Sequence, residues 1–257
     1  MTQATAVSRP APLLTRPASA TAAGCLGFAL VAAVVFIFGT LTPRPAAAES
    51  AGATEPAALA MPGEVACANL VYGRNKTSEC FADHFLRQIH EDSFISTTGA
   101  FHSVRSDDAE LFGYPFAVMS GEGRFRLTDG QIENLRAYLT SGGFLVASAG
   151  CSSKQWNSSF GEAIKAVLPE AELFTLEADH PVFHTVYDIT ESRYRSGEAR
   201  LPELRAIELD GRVVMIWSPD GLNDTGNAGH KCCCCGGNEI KDAKRLNVNL
   251  LAYALTH

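Results

Sequence analysis

Two short, continuously apolar runs constrain this chain more than anything else in it: Phe116-Ala117-Val118-Met119 and Phe144-Leu145-Val146-Ala147, each bounded by glycine. Runs of this length that lack a polar side read as strands covered on both faces, and such strands belong to parallel sheets. Between them Thr128 and Gln131 form a capping box, and Ile132, Leu135, Tyr138 and Leu139 recur at helical spacing before Ser141-Gly142-Gly143 ends the helix. Strand, helix and strand then make one right-handed crossover. Ligands of such sheets sit outside the carboxyl ends of the strands. Ser120, Gly121, Glu122 and Gly123 after the first strand, and Ser148 with the 148–153 segment after the second, are therefore the expected ligand-binding edge.

The flanking sequence extends this unit. Ala68-Asn69-Leu70-Val71-Tyr72 reads as the first strand, with folding expected to begin near Cys67. Thr77 or Ser78 is the expected cap of a helix whose stripe is Phe81, Phe85, Leu86 and Ile89. Residues 94–102 read as a strand, 107–112 as a short helix or loop, 156–168 as a helix, and 173–176 as a strand. Asp210-Gly211 between residues 205–209 and 212–217 is the strongest hairpin signal in the chain, so an antiparallel pair joins the mostly parallel sheet. Residues 219–239, dense in Gly, Asn, Asp and Cys, show no period and read as a functional or disordered loop, and residues 241–255 as the last helix.

The first 48 residues read as an export signal. Arg9 and Arg16 are the only charges before the apolar run 26–38, and Pro45-Ala46-Ala47-Ala48 supplies small residues ahead of Glu49. An uncleaved anchor is the alternative, since residues 25–41 approach a membrane-spanning length. Contact with a membrane is expected only in that case. Residues 49–65 read as a spacer and residues 66–257 as one α/β domain in an oxidising, periplasmic or envelope compartment. A net charge of −7 without a long basic run excludes nucleic acid as a partner, leaving an unknown ligand or envelope protein.

Cysteine supplies the chemistry. Cys232, Cys233, Cys234 and Cys235 are adjacent, whereas zinc ligands on one strand are usually separated by two to four residues. That spacing argues against all four around one ion. Two of them with distant ligands such as Cys80, Cys151, His180 or His230 would complete a zinc or iron site; disulfides, favoured by export, are the competing assignment, and a redox-active thiol the third. Loss of Cys25 with the signal leaves an odd number of cysteines, so at least one sulfur is thiol, ligand or intermolecular bridge. Cys151 on the turn after the second strand reads either as a nucleophile, with His180 or His184 as base and Glu122 or Asp188 as orienter, or as a disulfide partner. Cys151 is expected near the 232–235 run, because both leave the same sheet edge. Asn223 and Asp224 add oxygens at a spacing unlike a helix-loop-helix calcium site.

Several stretches carry a family resemblance: Asn69-Leu70-Val71-Tyr72-Gly73, Pro115 through Gly123, Tyr138-Leu139 with Gly142-Gly143-Phe144-Leu145, Asp179-His180-Pro181-Val182-Phe183-His184, and Asn247 through Leu255. Together they resemble an uncharacterised bacterial family, domain of unknown function four-one-five-nine, over residues 67–257. That family is similar to the class I glutamine amidotransferase-like superfamily, which implies a three-layer flavodoxin-like sandwich. Amidotransferases place their nucleophile in a Gly-x-Cys-x-Gly elbow after the corresponding strand. Here Cys151 comes later, Ser153 replaces the second glycine, and the His-x-Glu pair has no counterpart. The resemblance thus implies the fold and a non-catalytic ligand-binding or assembly role, and not the amidotransferase reaction.

Overall fold

The structure is a computed structural model and describes residues 63–74, 81–223, 239–241 and 243–257. The export segment, most of the spacer, Thr77, Ser78, Cys80, Asp224, His230 and Cys232, Cys233, Cys234 and Cys235 lie outside the described residues. In chain order the elements are β1 (Glu64–Val71), α1 (His84–Asp92), β2 (Ser96–Arg105), β3 (Phe116–Gly121), α2 (Asp129–Thr140), β4 (Phe144–Ala149), α3 (Lys154–Val167), β5 (Leu173–Thr175), β6 (Ser192–Arg193), β7 (Ala199–Arg200), β8 (Arg205–Leu209), β9 (Arg212–Ser218) and α4 (Ala243–Thr256).

The two apolar runs are adjacent parallel strands, in register from Phe116 opposite Phe144 to Gly121 opposite Ala149. Around them the sheet runs β2-β1-β3-β4-β9-β8-β5, with β8 antiparallel to both its neighbours. The fold class is α/β, with a mostly parallel sheet and an antiparallel hairpin at Asp210-Gly211 as expected. Alternation along the strands divides the core. Cys67, Phe116, Val118, Phe144 and Val146 pack with side chains of α1 and α4, while Ala68, Leu70, Ala117, Met119, Leu145 and Ala147 pack with α2 and α3. Helices therefore cover both faces.

The capping box is present as read: Thr128 Oγ1 accepts from Gln131 N, and Gln131 Oε1 accepts from Thr128 N. Several boundaries differ, and three of them bear on the site or its approach. β1 begins at Glu64, because Glu64 and Val65 pair with Ser96 and Thr97 despite their spacer-like surroundings. α1 starts after Asp83, not at Thr77 or Ser78. Ser120 and Gly121 belong to β3 itself, because hydrogen bonds satisfy the buried serine beyond the apolar run.

A candidate ligand site at the carboxyl edge

Ser120, Ser148 and Ser218 occupy the same register level on β3, β4 and β9, and all three are fully buried. Polar groups so placed need partners. They find them in the chain that follows β9: Gly221 N donates to Ser218 Oγ at 3.3 Å, Leu222 N to Ser148 Oγ at 2.8 Å, and Ser120 Oγ to Asn223 Oδ1 at 3.3 Å. This row of hydroxyls pins residues 219–223 flat across the strand ends. Asn247 of α4 completes the anchor by donating from Nδ2 to Leu222 O.

Cys151 stands over this edge. It follows β4 in a two-residue left-handed turn, with φ 52° at Cys151 and 50° at Ser152, before Ser153 caps α3 by accepting from Trp156 N. Left-handed backbone is unfavourable for residues other than glycine, by about 1 kcal/mol each. Contacts from several directions hold it. Cys151 N donates to Glu239 Oε1 at 2.8 Å, Ser152 Oγ donates to Asp220 O at 2.7 Å, and the Cys151 thiol donates to Glu122 Oε1 at 3.2 Å. Gly123 N donates to Ser153 Oγ, tying the turn after β3 to the cap of α3.

Glu239 is the residue that composition did not single out. Only 2% exposed, it receives Cys151 N and Asn223 Nδ2 on Oε1, while Oε2 is buried with no hydrogen-bond partner among the described residues. Burial pushes its carboxyl above the ordinary range, against the opposing pull of the Cys151 and Asn223 donors, and the charge of Glu122 pushes the same way. Its backbone is clamped by the small hairpin of β6 and β7: Arg195 N donates to Glu239 O, and Tyr194 bridges to Ile240. That hairpin is in turn fixed to the 219–223 segment, where Tyr194 OH and Arg200 both bond Asp220 Oδ2. The only sequence signal for Glu239 was its place at the end of an aperiodic loop.

Beneath the edge, Trp156 Nε1 donates to Tyr72 OH at 2.7 Å and Tyr72 OH donates to Ser120 O at 3.0 Å. This joins the ends of β1 and β3 to the first turn of α3. Gly121 is required there, since a Cβ would lie 2.2 Å from the Tyr72 hydroxyl.

The structure therefore brings together Ser120, Gly121, Glu122, Gly123, Ser148, Cys151 and Asn223. It does not bring His180 to Cys151, the two residues read from sequence as base and nucleophile. The His180 ring is 5.3 Å from that of Tyr253, which contacts Phe144 at the opposite end of β4. A six-residue strand separates the two ends by about 17 Å. His180 Nδ1 accepts from Val182 N in a turn. His184 does meet Asp188 at 2.6 Å, but its other ring nitrogen is taken by the Ala178 carbonyl at 2.8 Å. Both histidines are thus accounted for structurally. Cys67 is sealed in the core, where burial pushes its thiol up to about 12. Among the described residues no cluster of three or more His, Cys, Asp or Glu side chains is arranged to hold a metal ion.

Burial lowers the pKa of His180 below its ordinary 6.5, partly offset by Asp179. The unfolded chain then takes up the proton first, so this group's contribution to stability is present above pH 6.5 and is lost as pH falls through its lowered value. The His180 ring resonances in a proton NMR titration should shift with a midpoint below 6.5, and His180→Gln should flatten the acid limb of the stability profile. A midpoint at or above 6.5 would remove this account of the turn.

No curated protein matches the chain. The family model described as Domain of unknown function (DUF4159) matches residues 67–255, and the chain belongs to that family.

Proposed function

We propose that this is an exported ligand-binding domain of the cell envelope, non-catalytic, with its pocket at the Cys151 turn. The carrying observation is the pair of left-handed, non-glycine residues Cys151 and Ser152, held in that shape from both sides by Glu239 and Asp220. Strain maintained against the backbone's preference is characteristic of functional turns. The strand order supports a flavodoxin-like framework, whose ligands bind outside the carboxyl ends of the strands, the edge on which the Cys151 turn lies. The further relation to amidotransferase-like domains rests on the motif resemblance alone. Export rests on Arg9, Arg16, the apolar run and the small residues before Glu49.

Binding is favoured over thiol catalysis because Cys151 Sγ meets the carboxylate of Glu122, whereas activated cysteines lie among positive groups. The base proposed from sequence, His180, lies at the other end of β4. The test follows modification of each cysteine in reduced full-length protein by methyl methanethiosulfonate, using mass spectrometry. Cys151 should react no faster than a simple thiol at pH 7, and a rate at least about tenfold faster would reinstate the nucleophile. Cys151→Gly should be neutral or stabilising by up to about 1 kcal/mol, since glycine adopts φ 52° without strain. A loss above about 2 kcal/mol would make the cysteine a structural residue and remove the site.

A further inference from the structure

Resting on that reading of the Cys151 turn as a ligand site, we propose that its ligand presents a primary ammonium group, bound between Glu239 on the floor and Glu122 on the rim. The floor is a carboxylate with one oxygen saturated by two donors and the other, Oε2, buried without any among the described residues. Leaving a charged acceptor unsatisfied in the interior is costly, and such groups call for an explanation in a ligand or solvent molecule. The rim carboxylate of Glu122 is exposed, and its Oε1 accepts from the Cys151 thiol. Cys151 thus spans both groups, with its N–H on the floor and its S–H on the rim.

The chemistry of the pair selects the ligand. Two carboxylates around one turn repel anions, and the repulsion between them falls when a cation enters. Among the described residues Arg195 is the positive side chain whose charge reaches Glu239. Among the described residues Oε2 has no N–H or O–H donor, and a quaternary organic cation has none to offer it. An ammonium group carries three donors with tetrahedral reach, enough for Oε2 and for Glu122 together.

The test measures protection of Cys151 in the full-length protein from methyl methanethiosulfonate by n-propylammonium, with tetramethylammonium and calcium chloride at matched ionic strength. Propylammonium should slow modification several-fold and raise the Tm, and tetramethylammonium should do neither. Glu239→Gln, isosteric but uncharged, should weaken propylammonium binding at least about tenfold. Glu122→Gln, at an exposed position where folding is not at stake, should weaken it less. Equal protection by both organic cations, protection by calcium alone, binding that persists in Glu239→Gln, or no protection at all, as when water alone fills Oε2, would each overturn the proposal. The two readings fail separately: a hyper-reactive Cys151 removes the ligand site itself, whereas an ordinary Cys151 indifferent to propylammonium removes only the ligand's chemistry.

Discussion

Gly221→Ala is expected to cost about 3 kcal/mol or more, lowering Tm by roughly 6–12 °C for a domain of this size. Gly221 has φ 99°, outside the regions open to residues with a side chain, and an added Cβ would lie 2.4 Å from the Ala149 carbonyl oxygen and 3.2 Å from Glu239 Cγ. The first contact is to backbone at the end of β4, which cannot move without disturbing the Cys151 turn. The segment would have to lift instead, and lifting it breaks the bonds from Gly221 and Leu222 to Ser218 and Ser148. Gly211 provides the control. Its φ is 80°, yet nothing lies within 4 Å of its Cβ position, so Gly211→Ala carries the conformational cost alone, about 1 kcal/mol. Chemical denaturation of both variants separates the two contributions. Equal costs would mean that the contact with β4 does not fix the 219–223 segment, and the account of how the site is assembled would fail with it.

The parallel pair at the centre was legible because every local signal agreed: apolar runs of strand length, a reciprocal capping box, and glycines at the exits. Those signals also located the sheet edge and most of the residues on it. What they could not give was the partner of Cys151. His180 follows β5 closely in sequence, but residues 176–180 descend the face covered by α4, and His180 comes to rest against Tyr253 near the end of that helix. Its position depends on where α4 docks, which no local pattern encodes. Glu239 was hidden for a related reason. Its burial follows from the clamp between Arg195 and Ile240 and from the serine row beneath Asn223, long-range contacts joining segments with no period of their own. The serines themselves are polar residues at the ends of apolar runs. By periodicity they read as the start of turns, and only the descent of 219–223 onto them makes them interior.

Trp156→Ala should be the other large loss, about 3–5 kcal/mol, because the indole is fully buried, stacked on Phe160 at 5.0 Å and tilted against Phe125 at 5.7 Å. Its more informative companion is Trp156→Phe. Phenylalanine keeps most of the apolar volume but removes the donor to Tyr72 OH, a bond worth about 1–2 kcal/mol in a buried setting. Tyr72 would keep its own donation to Ser120 O, so the break falls specifically between α3 and the ends of β1 and β3. The first turn of α3 begins at Ser153, directly after the left-handed pair, and nothing in those two residues' own preferences maintains their shape. Loosening α3 at Trp156 should therefore reach Cys151 before it reaches the rest of the fold. In Trp156→Phe, thiol modification at Cys151 should accelerate several-fold while circular dichroism stays unchanged. A double-mutant cycle with Tyr72→Phe should return a coupling of about 1 kcal/mol. Zero coupling, or a Cys151 rate indifferent to the loss of the indole donor, would show that the turn is held by Glu239 and Asp220 alone and that the aromatic network beneath it serves only the core.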